Sequence, residues 1–141
     1  MFKNNAFMPF VVLGDPTFED SIKIIKSLID NGADALELGF AFSDPVADGP
    51  IIQKANNRAI ASGINMPKAF EIIKEIRAYS LVPISLMLSY NLVNTFGVDN
   101  FYKHCVENKI NGVLCPDVPL EESDEIMKYS KKHEINQVFL V

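Results

Sequence analysis

The sequence is poor in the residues from which most metal, disulfide and redox sites are built. It carries two cysteines and two histidines in 141 residues. Cys105 and Cys115 show no CxxC spacing, so both read as reduced, structural thiols. His104 and His133 fall on expected helices away from strand ends and read as surface residues. No His, Asp or Glu cluster has metal-ligand spacing, so no metal is expected. No apolar run is long enough to span a membrane, and residues 1–5 lack the apolar stretch of a secretory leader; the expectation is a soluble, cytoplasmic protein. Positive charge is not in excess either: 13 Lys and Arg against 18 Asp and Glu leave a net charge of −5. That balance argues against nucleic acid or anionic membrane as the main partner. A phosphorylated substrate stays open, because amides at a helix N-terminus hold phosphate without a basic surface.

What is present is an ordinary globular balance, 48 % hydrophobic and 22 % charged, enough for a core in one domain over residues 1–141. Residues 6–13 are a near-continuous apolar run, the pattern of a strand covered on both faces, broken by Gly14, Asp15 and Pro16. Thr17 with Asp20 resembles a capping box, and Ile22, Ile25, Leu28 and Ile29 follow at helical spacing until Asn31 and Gly32 close the helix. A second strand is expected over 33–39, with Leu36 and Leu38 on one face and Ala35 and Glu37 on the other. Gly49 and Pro50 open a helix over 50–62, and Asn65 caps another over 67–79. A strand over 82–88 leads into a loop at Ser89, Tyr90 and Asn91. A helix over 98–109, a strand over 112–115, a helix over 120–133 and an apolar strand over 137–141 complete the chain.

Strands alternating with helices imply a parallel sheet with right-handed crossovers. No GxGxxG follows the first strand, so a dinucleotide fold lacks its fingerprint. A loose repeat does occur: helix, Asn-Gly, short apolar strand, acid, once from Asn31 to Glu37 and again from Asn111 to Asp117. Such repetition suits a (β/α) barrel, whose functional residues lie at the C-terminal ends of strands. Five strands do not close the usual eight. The fold class expected is therefore α/β, an incomplete (β/α)8 TIM barrel, and the sequence reads as the truncated N-terminal portion of one, with open apolar edges.

Glu37 is the residue the pattern leaves unexplained. A lone carboxylate in a buried strand is costly unless it is paired or used. On its own it reads equally well as a structural acid paired with a basic partner. Asp48 alone reads as a turn or helix-capping residue. Ser43 reads as an acceptor of a turn N–H.

The stretch Leu36-Glu37-Leu38-Gly39, then Phe42-Ser43-Asp44-Pro45 and Ala47-Asp48-Gly49-Pro50, with Ile52, Gln53 and Ala55 following, resembles the signature of the tryptophan synthase α-subunit family. Pro9-Phe10 with Leu13-Gly14-Asp15-Pro16 is similar to that family's first strand and loop. Asp117-Val118-Pro119 with Glu121-Glu122-Ser123 is similar to the loop after its fourth strand. The resemblance is colinear over nearly the whole chain. It implies retro-aldol cleavage of indole-3-glycerol phosphate to indole and glyceraldehyde 3-phosphate, in tryptophan biosynthesis. By resemblance Glu37 is the acid and then the base, its pKa raised by poor solvation, and Asp48 is the carboxylate that accepts the indole N–H. Phe10, Ile52, Met87, Leu114 and Leu140 match pocket positions, though each also reads as core. Asp44 and Asp117 shape loops and, by resemblance, face the partner.

The implied partner is the β subunit in an α2β2 assembly. Pyridoxal phosphate belongs to that partner, and no cofactor is expected in this chain. The family's phosphate-binding glycine loops are expected on sequence beyond residue 141, so these residues alone should be inactive and poorly soluble. Three positions depart from the family pattern: Ala41 stands where a stiffening Pro is usual, Val12 where Thr is common, and Ser89 where an aromatic is common. Together with the expected truncation they keep a second reading open, a non-catalytic α-like module that binds the β subunit. A different phosphosugar enzyme on the same barrel is a third.

Overall fold

The computed structural model describes residues 5–140. The last residue of the strand expected over 137–141 lies outside that range, as do residues 1–4 of the expected leaderless start. Five strands run β1 (Phe10–Val12), β2 (Leu36–Gly39), β3 (Ile84–Met87), β4 (Gly112–Leu114) and β5 (Asn136–Val138). Among the described residues six α-helices connect them: α1 (Phe18–Asp30), α2 (Pro50–Ala61), α3 (Met66–Tyr79), α4 (Tyr90–Phe96), α5 (Val98–Glu107) and α6 (Asp124–Lys132). The strands form one sheet in the order β1-β2-β3-β4-β5, every neighbouring pair parallel. That is the sheet of an incomplete (β/α)8 barrel, with β1 and β5 at its edges.

Local chemistry sets the helix ends. Thr17 Oγ1 accepts from the Asp20 N–H at 3.1 Å, so the N-cap half of the expected box forms, while Asp20 Oδ2 accepts from the Thr17 hydroxyl at 3.1 Å in place of the Thr17 backbone N–H. Asn65 Oδ1 accepts from the Lys68 N–H at 3.0 Å and opens α3. Gly32 follows α1 at φ +92°, a backbone conformation that a residue with a side chain rarely adopts.

The register stacks side chains in layers. Val11, Leu38, Leu86, Val113 and Gln137 are successive partners across the sheet. Leu38, Leu86 and Val113 are fully buried in one core with Ile25 of α1, Ile72, Ile73 and Ile76 of α3, and Phe101 and Cys105 of α5. Truncating one such leucine to alanine costs about 2–5 kcal/mol, so this face fixes the sheet against its helices. A second cluster of Val12, Ala55 and Ala59 seats α2 along β1, with Phe10, Ala41 and Ile52 packed beside it.

Four details differ from the sequence expectations. The strands are shorter, because a ladder extends only as far as its neighbour. β5 accordingly sits over Asn136–Val138, opposite the three residues of β4. Residues 90–96 form α4 where the sequence suggested a loop; Ser89 Oγ accepts from the Asn91 N–H at 3.3 Å and Gly97 ends the helix at φ +90°. The helix expected over 120–133 is divided, because Ser123 Oγ donates to the Leu120 carbonyl at 2.6 Å and closes a 3-10 turn over Leu120–Glu122. The histidines are not freely solvated. His104 packs 5.1 Å from both the Phe70 and Phe96 rings, and the His133 side chain, 13 % exposed, lies 2.8 Å from Asp99 Oδ1. Cys105 and Cys115 are free and buried, and burial pushes the Cys115 thiol up to about 12.

Candidate active site

The sheet face turned away from α1, α3 and α5 carries the other two layers. The lower consists of Phe10, Glu37, Ser85, Gly112 and Asn136, the upper of Val12, Gly39, Met87, Leu114 and Val138. Glu37 is the acid of this face, half-buried and directly beside Phe10 in the register. Burial raises its carboxyl above the ordinary value of 4.5, and burial is the sole cause. No hydrogen-bond donor or cation reaches this carboxylate among the described residues. The structural reading of Glu37, an acid neutralised by a basic partner, therefore has no partner here.

Above the strand ends, the β2–α2 loop folds back over the sheet. Asp48 Oδ2 accepts from Asn56 Nδ2 at 3.0 Å, and the Asp48 carbonyl accepts from Gln53 Nε2 at 2.8 Å. Asp48 does not cap α2, since Gly49 occupies the N-cap and no side chain bonds there. Asp48 lines a cleft with Phe10, Gly39, Phe42, Met87 and Asp117. Glu37 faces a separate depression lower on the same sheet, with Met8, Ser85 and Asn136. Phe10 is Glu37's neighbour in the ladder and lines the Asp48 cleft, but the two depressions share no lining residue, so the two carboxylates are not brought into one cavity.

The remaining positions separate. Phe10 and Met87 come to the cleft. Ile52 packs on the Val12, Ala55 and Ala59 cluster, and Leu114 is buried in the upper layer. Leu140, past the end of β5, is 67 % exposed and joins neither depression. Asp44 accepts from Ser43 Oγ at 2.9 Å, so Ser43 acts there as a donor rather than as an acceptor of a turn N–H. Asp117 accepts from Ser89 Oγ at 2.6 Å and from the Tyr90 N–H at 3.0 Å, tying the β4–α6 loop to the start of α4. Tyr90 in turn donates its hydroxyl to Glu125. Among the described residues, no group of three or more His, Cys, Asp or Glu is placed to hold a metal ion, and no helix is long and apolar enough to cross a membrane.

The family model for the tryptophan synthase alpha chain matches residues 2–141. The chain belongs to this family. Its relatives include the tryptophan synthase alpha chain of Methanothermobacter thermautotrophicus, 46 % identical over 136 residues, covering 96 % of this chain and 50 % of the relative. That of Buchnera aphidicola subsp. Melaphis rhois is 51 % identical over 140 residues, covering 99 % and 52 %. Among solved structures, a tryptophan synthase complex from Pyrococcus furiosus superposes with a TM-score of 0.94 at 37 % identity, covering 100 % of this chain and 58 % of that one. Another Pyrococcus furiosus structure is described as an α2β2 complex. The chain thus spans about half the length of the relatives it matches.

One site residue, Asn56, escapes a reading of the sequence alone, although an amide on the inward stripe of α2, between Ala55 and Ala59, is a signal that something there needs a donor. Ser89 read as a departure from pattern; its hydroxyl links Asp117 to α4.

Proposed function

We propose that this chain is the N-terminal part of a tryptophan synthase α subunit that cleaves indole-3-glycerol phosphate to indole and glyceraldehyde 3-phosphate. The observation that carries this is the raised carboxyl of Glu37 beside Phe10, with no donor or cation on it among the described residues, and a second carboxylate, Asp48, held over the strand ends.

The bond to be broken joins indole C3 to the hydroxyl-bearing carbon of the glycerol phosphate chain. Protonated Glu37 gives its proton to C3, which leaves positive charge on the ring system. Asp48 accepts the ring N–H and stabilises that charge as it develops. The carbon–carbon bond then breaks as the Glu37 carboxylate removes the hydroxyl proton, and the electron pair of the broken bond restores the aromatic ring. Glu37 ends protonated, as it began. A carboxyl with a raised pKa suits both halves of this cycle. Phe10 and Met87 supply apolar walls for a flat indole ring.

The chemistry needs no cofactor in this chain. Pyridoxal phosphate is assigned to a β-subunit partner, in an α2β2 assembly, and phosphate binding to residues beyond this segment. The non-catalytic reading rested partly on Ala41. Ala41 packs beside Val12, Ala55 and Ala59, and Asn56 restrains Asp48, which together favour a loop built for catalysis.

In the full-length protein, Glu37→Gln and Asp48→Asn should each remove most indole release. Near-normal turnover in Glu37→Gln overturns the acid–base assignment. Binding of the β subunit without any lyase activity in the unaltered protein favours the non-catalytic module.

A further inference from the structure

We propose that Asn56 is a positioning residue for Asp48, presenting one carboxylate oxygen to the indole N–H while occupying the other. The inference rests on the reading of Asp48 given above. Asn56 is 3 % exposed and sits on the stripe of α2 that also carries Ala55 and Ala59. That stripe is otherwise built to pack on Val12. A polar amide at such a position is retained only where it has a partner, and its Nδ2 donates to Asp48 Oδ2 at 3.0 Å.

The bond spans eight residues and the start of a helix. It draws Asp48 away from the role its sequence position invites. An Asp just before a helix ordinarily turns its carboxylate onto the first free backbone N–H groups. Here Gly49 is the N-cap, no side chain caps α2, and the Asp48 carboxylate is held instead by a residue nearly two turns along. Oδ2 is committed, and Oδ1 makes no hydrogen bond among the described residues. Gln53 holds the backbone of the same residue through its carbonyl at 2.8 Å. Backbone and carboxylate are thus fixed separately from one rigid element, the arrangement a preorganised acceptor requires. The stiffness lost with a Pro at position 41 is in this way supplied from α2.

The test is made on the full-length protein by steady-state indole release. Asn56→Leu removes the donor and keeps the volume, and Asn56→Ala is the smaller companion. Each should lower kcat on the order of 10- to 100-fold, the scale of a misplaced catalytic group, while KM moves by no more than about threefold. In an Asp48→Asn background, Asn56→Leu should add less than about a twofold further loss, because residues that act as a unit are not additive. The inference is overturned if Asp48→Asn collapses kcat while both Asn56 variants keep it. It is also overturned if the losses multiply in the double variant, or if neither variant folds; either result makes Asn56 part of the scaffold. A normal kcat in Asp48→Asn removes the reading of Asp48 itself, and this inference with it.

Discussion

The Phe10 ring fills the space that a side chain at Gly39 would need. A Cβ on Gly39 would lie 2.5 Å from Phe10 Cζ and 2.8 Å from Cε2, far inside van der Waals contact. The two residues lie on adjacent strands in successive layers, and Phe10 reaches the Asp48 cleft by leaning across this gap. Gly39 is there for close approach, because its φ is ordinary. Gly39→Ala is therefore expected to push the ring into the cleft and cost about 1–3 kcal/mol by overpacking. Urea unfolding of Gly39→Ala, with and without Phe10→Leu, checks this. The smaller side chain at position 10 should recover much of the loss, and two independent, additive losses would show that the ring is not the obstacle.

Glu37 makes stability depend on pH in a direction that its raised pKa fixes. A carboxyl that titrates higher when folded holds its proton more tightly in the native state, so unfolding releases protons. Its contribution is whole below the ordinary value of 4.5 and is lost as the pH rises through the folded value. Glu37→Gln has no such proton to lose. As the pH rises past 4.5, the unfolding midpoint of the unaltered protein should fall relative to that of Glu37→Gln, then run parallel once the folded carboxyl has lost its proton. A constant difference across that range would mean that Glu37 titrates normally. Asp99 acts with the opposite sign. Hydrogen bonds from Lys132, His133 and Lys103 hold it well below the usual carboxylate range, so its contribution disappears only in acid.

The parallel order of strands was legible because each strand is a short apolar run punctuated by Gly, Pro or Asn, and the Thr17 and Asn65 caps follow from local chemistry alone. The parts that were not legible depend on groups far apart in sequence. Residues 90–96 are too few to show a helical stripe, and α4 forms because Asp117, in another loop, satisfies its first N–H. Glu37 and Asp48 were visible as acids in a distinctive pattern. That they face separate depressions, with Phe10 beside Glu37 in the ladder and lining the cleft at Asp48, follows only from the register, and that Asp48 is held by Asn56 only from where α2 lies. Leu140 could be placed on a strand by its apolar neighbours, yet the ladder ends at Val138, opposite Leu114.

Arg77 is expected to be among the costliest single residues on the far side of the sheet from the cleft. Its half-buried guanidinium donates to the carbonyls of Asn108 at 2.9 Å, Lys109 at 2.9 Å, Ser80 at 3.4 Å and Val82. It thereby staples the end of α3 to the start of β3 and to the turn between α5 and β4. No carboxylate neutralises it among these partners, and burial lowers its pKa. Arg77→Met should cost about 2–4 kcal/mol, since several carbonyls lose a charged donor at once. Arg77→Lys should recover only part of that, because an ammonium cannot fork to carbonyls on separate segments. Equal unfolding midpoints for Lys and Arg at this position would reduce the staple to a simple charge effect.

Asp117 holds the mouth of the sheet together at one more point. Both of its oxygens are engaged, with the Ser89 hydroxyl at 2.6 Å and the Tyr90 N–H at 3.0 and 3.1 Å. Ser89 is the N-cap of this seven-residue helix, and Asp117 buttresses that cap from a loop that follows a different strand. Asp117→Ala should therefore act locally, costing about 1 kcal/mol as the loss of a helix cap does. Hydrogen exchange resolves where the loss falls. The amides of α4 should lose protection while those of α1 and α3 keep theirs, because a short helix deprived of its cap frays before the core opens. Asp117→Asn retains an acceptor for one of the two donors and should fall between. If exchange rises evenly across the chain, Asp117 supports the whole sheet and not α4 in particular.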